Sequence, residues 1–83
     1  MDTASCNRVV SLTKLGGLSW DPFLRMWEEV TRDRIQVYIA PRFVMMVSAG
    51  YIPENSTSLI LADGTHLEVV GKLSEILEEL FPE

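Results

Sequence analysis

The sequence predicts a small α+β domain: a mainly antiparallel sheet or partial barrel of about five strands, a short inserted helix near residues 22–31 and a C-terminal helix near 73–81. Three observations carry this. Several short segments alternate apolar with polar residues, turn-forming glycines and prolines separate them, and the last stretch switches to helical spacing.

The elements follow in order. RVVSLTK, from Arg8 to Lys14, is β-branched enough for a first strand, and Gly16-Gly17 breaks it. Asp21-Pro22 then reads as a helix start, because the carboxylate can accept from an orphan N–H and proline at the first position wastes none. Phe23, Leu24, Trp27 and Val30 follow at helical spacing, which predicts the inserted helix and gives Phe23 and Trp27 core-facing roles. RIQVYIA, from Arg34 to Ala40, alternates as a half-buried strand. Pro41 ends it in a tight turn or single helical turn before VMMVSA resumes an extended path; helix over 41–48 is the competing reading. Gly50 and the stretch from Pro53 to Ser56 mark a loop.

The segment SLILADGTHLEVV allows a sharper expectation. A two-residue Asp63-Gly64 loop would mix both faces of the hairpin. A three-residue loop, Ala62-Asp63-Gly64 with Gly64 left-handed, pairs Leu61 with Thr65 and Leu59 with Leu67. Leu59, Leu61, Leu67 and Val69 then share one apolar face, and a one-residue slip would destroy that segregation. Ile60, Ala62, His66, Glu68 and Val70 line the second face. Leu73, Ile76, Leu77, Leu80 and Phe81 form a stripe on the final helix, whose other side carries Glu75, Glu78 and Glu79.

The chain of 83 residues makes one domain over 1–83, with the first six or so residues expected to be disordered. Its net charge of −5 is unevenly placed: up to Arg42 there are six basic residues against five acidic, and beyond it one basic residue, Lys72, against seven acidic. That surplus of acid argues against direct nucleic-acid binding, which needs a basic stripe. The lone Cys6 excludes an intrachain disulfide and points to a cytoplasmic location, and no apolar run reaches membrane-spanning length.

Catalytic and metal signatures are weak. His66 and Glu68 share one side of a strand, so a carboxylate-oriented base is conceivable, but a surface histidine is the plainer reading. Asp63, His66 and Glu68 lack metal-ligand spacing, and Gly16-Gly17 is followed by no phosphate-loop lysine. The expectation is a non-enzymatic protein without catalytic residues, metal or cofactor. Candidate partner-binding residues are Trp20, Trp27 and Met46, adaptable apolar anchors, and Glu75, Glu78 and Glu79, an acidic surface for a basic partner.

VSLTKLGG together with VYIAPRFVMMVSAGYIPENSTSLILADGTHLEVVGKLSEILEEL resembles the small FlbD/SwrD-like flagellar accessory proteins. The matching positions are Leu12, Thr13, Leu15, Gly17, Ile39, Asp63, Gly64, Val69, Ile76 and Leu77. The resemblance implies a non-enzymatic accessory or regulatory module that binds another protein. The alternative is a small acidic inhibitor, of the kind mobile elements encode, blocking a basic nucleic-acid-binding surface. A more distant similarity to LytTR-type DNA-binding domains is opposed by the charge. A homodimer through an edge strand is a further expectation.

Overall fold

The computed structural model describes residues 8–82. The expected disordered start and Cys6 lie outside the described residues. Among the described residues, seven strands and one α-helix follow in chain order: β1 (Val10–Lys14), β2 (Leu18–Asp21), β3 (Met26–Glu29), β4 (Ile35–Ile39), β5 (Val44–Ala49), β6 (Ser56–Leu61), β7 (His66–Val70) and α1 (Leu73–Leu80). Five of the strands form one antiparallel sheet in the order β4-β1-β7-β6-β5, and β2 pairs with β3 separately.

The β6–β7 hairpin adopts the three-residue turn that apolar segregation requires. Leu59 lies opposite Leu67 and Ile60 opposite His66. The Leu61 amide donates to the Thr65 carbonyl at 2.9 Å, and the Gly64 amide donates back to Leu61 at 2.9 Å. Gly64 has φ of 90°, which a side chain would resist. The Thr65 amide and hydroxyl bond to Asp63 and hold its carboxyl below the usual range.

One sheet face carries the core. Val10, Leu12, Ile39, Leu59 and Val69 pack with Ile76 and Leu80 of α1, and Val37, Val44, Val47, Leu61 and Leu67 surround them. The helical stripe is buried only at its centre line, Ile76 and Leu80. Leu73 is half-buried and Leu77 and Phe81 are exposed, a correction to the fully packed stripe expected, while Glu75, Glu78 and Glu79 lie on the exposed side. The acids oppose the helix dipole at its C-terminal end, but Arg8 counters them. Its guanidinium donates to the Glu79 carbonyl at 3.1 Å and also to the Leu80 carbonyl, bringing cation and donors to orphan groups.

Pro41 begins a single 3-10 turn, Pro41–Phe43, before β5, as the strand reading of this region predicts. The competing helix over 41–48 does not form. Strand β5 bulges between Val44 and Met46, which leaves Met45 73% exposed and Met46 54% exposed.

The inserted helix is a correction. Residues 22–31 hold no helix; Leu18–Asp21 and Met26–Glu29 form a two-stranded ribbon around the loop Pro22–Arg25. Asp21 does accept from following amides, those of Phe23 at 2.9 Å and Leu24 at 3.1 Å. The same cap geometry serves a turn as well as a helix start. Arg25 then adopts φ of 53°, outside the helical region, and sends the chain back so that Trp20 opposes Trp27. The expected core roles fail with the helix: Phe23 is 95% exposed, and Leu24 and Val30 are exposed too.

Candidate functional site

The ribbon is a bent continuation of the β1–β4 hairpin, since β1 leads into β2 and β3 into β4. Gly16 and Gly17 make the bend. A Cβ on Gly16 would sit 2.1 Å from the Thr31 carbonyl oxygen and 2.9 Å from the Asp33 amide nitrogen, so only glycine permits this approach of the two chains. The Gly17 amide donates to the Thr31 hydroxyl at 2.7 Å, and the Val30 amide donates to the Gly17 carbonyl at 2.8 Å.

Glu29 clamps both sides of that bend. Its Oε2 accepts from the Gly16 amide at 2.8 Å, and its carboxylate receives the Arg34 guanidinium at 2.8 and 3.2 Å. The Arg34 hydrogen bonds, then the Gly16 amide, lower the pKa of Glu29. A planar fork meeting a carboxylate in two bonds fixes direction as well as distance, which sets the angle of the arm.

The bend carries the arm's aromatic residues to the sheet. Trp20 and Trp27 meet edge to face at 5.8 Å, Trp27 lies 5.0 Å from Tyr51, and Tyr51 meets His66 edge to face at 5.9 Å. Four rings thus run in a row from the arm to β7. Offset and edge contacts are the favourable ring geometries, and each adds to the area the pair buries.

Glu68 anchors the sheet end of the row. Its side chain is only 8% exposed and accepts from the Tyr51 amide at 2.9 Å, the Ser56 hydroxyl at 3.2 Å, the Ser58 hydroxyl and His66 Nε2 at 3.0 Å. A Cβ on Gly50 would fall 2.3 Å from Glu68 Oε1 and 2.2 Å from the Ser56 hydroxyl, so the backbone before Tyr51 must come this close for the network to form. The contact with the carboxylate places the proton on His66 Nε2. Ser58 and His66 share Oε2, so hydroxyl and imidazole both converge on the carboxylate. Chemically, Glu68 gathers donors and orients the Tyr51 loop. Among the described residues no group of three or more His, Cys, Asp or Glu side chains could hold a metal ion, and no helix is long and apolar enough to cross a membrane.

The six candidate binding residues divide between two surfaces. Trp20, 48% exposed, and the half-buried Trp27 touch each other on the arm. Met46 pairs with Ile60, and Ile60 pairs with His66, so Met46 lies on the same sheet face as the aromatic row. Glu75, Glu78 and Glu79 lie on α1, which covers the opposite face. Sequence reasoning missed three contributors: Tyr51, the exposed Phe23 at the arm's tip, and the burial of Glu68. A tyrosine directly after a glycine, ahead of a serine-rich strand, was the available signal for the first and third.

No family model matches the chain, and neither the curated proteins nor the solved structures contain a significant match.

Proposed function

We propose that this protein is a non-enzymatic module that works by binding another protein through its bent arm. The observation that carries this reading is the apolar load at the arm's end: Phe23 is 95% exposed, Leu24 61%, Trp20 48% and Met26 47%. Exposed apolar side chains gathered at the end of a two-stranded ribbon do nothing for the core, yet they are the residue types that anchor interfaces. The clamp at Glu29 and the glycine bend hold the ribbon in one orientation, so little ordering entropy is lost when a partner closes over it. An accessory role of the flagellar type is the version that the sequence resemblance implies.

A second reading rests on α1, where Glu75, Glu78 and Glu79 are all exposed. As an acidic inhibitor, the protein would set this surface against a basic one.

A capture experiment with the protein carrying a photo-crosslinking residue at Phe23, and another at Glu78, separates the two. The arm reading expects a salt-resistant adduct from position 23 that is lost with Trp20→Ala. Adducts from position 78 alone, weakened steeply by moderate salt and abolished by Glu75→Gln with Glu79→Gln, would replace it with the inhibitor reading.

A further inference from the structure

The sheet has two edges, and they are not equivalent. Strand β5 is blunted by its bulge between Val44 and Met46, and α1 with its glutamates packs chiefly on β5 and β6. Strand β4 lies at the opposite edge and has neither protection. Its sequence, IQVYI, contains no charge, proline or bulge, and among the described residues nothing pairs with its outer side. Ile35 is 57% exposed and Tyr38 71% exposed along it.

We propose that β4 is a self-association edge, at which a second copy of this chain pairs antiparallel across a two-fold axis through Val37. That register sets Ile35 opposite Ile39 of the partner and Gln36 opposite Tyr38, and it pairs all five residues of the strand. Opposed residues then have the same parity, so the apolar side chains stay on the core face and the two hydrogen-bonding patterns match. Shifting by two residues in either direction leaves only three residues paired. A shift by one places apolar against polar.

Charge selects the same edge. Each chain carries a net −5, and pairing through β5 would bring two acidic helices together, whereas pairing through β4 sets them at the far ends of a continuous sheet. The charge beside β4, Arg34, is already neutralised by Glu29. The symmetry is isologous and closed, which protects both edges at once. A five-residue ladder is a small interface, so the association is weak and concentration-dependent.

The test is sedimentation of the whole chain over a concentration series, for the wild type and three variants. The wild type is expected to pass from monomer to dimer mass and stop there. Gln36→Lys with Tyr38→Lys, both at exposed positions, opposes like charges across the axis and should move the transition at least about tenfold higher in concentration. Gln36→Glu with Tyr38→Lys sets opposite charges across the same pairs and should restore the dimer, in a manner that salt weakens. Phe23→Ser, which removes the arm anchor, should leave the dimer unchanged, so failure of the arm reading and failure of this one are separable. A wild type that stays monomeric throughout, or a double-lysine variant that dimerises like the wild type, overturns the proposal, as does an opposite-charge variant that behaves like the double-lysine one.

Discussion

The Tyr51 amide donates to Glu68 Oε1 at 2.9 Å across the loop between β5 and β6, so one buried carboxylate holds both the loop backbone and the ring that joins arm to sheet. Glu68 is 8% exposed and serves several donors at once, an arrangement in which a truncation leaves more than one polar group without an acceptor. Glu68→Ala is therefore expected to cost about 2–4 kcal/mol, and Glu68→Gln, which keeps one acceptor oxygen, roughly half as much. Urea denaturation of the two variants beside the wild type checks the order. Equal costs would mean that burial of the side-chain stem, rather than its acceptors, holds the loop.

Exposure of the arm's tip has a direct consequence for stability. Phe23→Ser should change the unfolding free energy by no more than about 0.5 kcal/mol, as expected for a solvated site. Leu59→Ala, at a fully buried position of β6, should cost about 2–5 kcal/mol because it leaves a cavity in the cluster with Ile76 and Leu80. Denaturation midpoints of both variants measure the contrast. A helix over 22–31 with Phe23 in the core would instead make the two losses comparable.

The parts of the fold that could be read in the chain are those where a slip would have mixed faces. Leu59 and Leu67 face each other because no other turn at Gly64 keeps the leucines together, and α1 follows from the spacing of Leu73, Ile76 and Leu80. The arm was opaque for a local reason. Asp21-Pro22 caps a turn and a helix by the same hydrogen bonds, and Phe23, Leu24 and Trp27 suit a helical stripe as well as a loop and a strand. The decision was made by Gly16 and Gly17, which let the returning chain pack closely against them at Thr31, a contact with no local signature. Of the candidate site, the exposure of Glu75, Glu78 and Glu79 was legible from the stripe opposite them. The meeting of Trp27 with Tyr51 depends on the arm's direction and was not.

That bend gives a paired test. Gly16→Ala drives a methyl group into backbone, 2.1 Å from the Thr31 carbonyl oxygen, and backbone on both chains cannot yield cheaply. Gly17→Ala meets only the Thr31 hydroxyl at 2.9 Å, the end of a side chain that can rotate. The first is expected to cost about 1–3 kcal/mol more than the second and to expose Trp27 as the arm leaves Tyr51. Tryptophan fluorescence and its quenching by acrylamide report the second effect, and an arm that remains docked in Gly16→Ala would show that the bend is not what places it.

The clamp at Glu29 adds an acid dependence whose sign is determined. Arg34 and the Gly16 amide lower the folded-state pKa of Glu29 from its ordinary 4.5. A group depressed on folding contributes stability that is complete above its unfolded pKa and is lost as pH falls through the folded one. Because the Arg34 side of the pair is open to solvent, which screens it, the contribution of Glu29 is about 0.5–1 kcal/mol at neutral pH. Glu29→Gln should therefore be less stable than the wild type by that amount near pH 7, with the gap closing as pH falls below the ordinary glutamate value of 4.5 and through the depressed folded one. Asp63 is shifted in the same direction by Thr65 but is common to both proteins, so it cancels in the difference. Urea midpoints across this range supply the measurement. A gap that persists unchanged at low pH would assign the loss to packing of the residue-29 side chain rather than to its charge, and the arm's angle would then rest on the glycine bend alone.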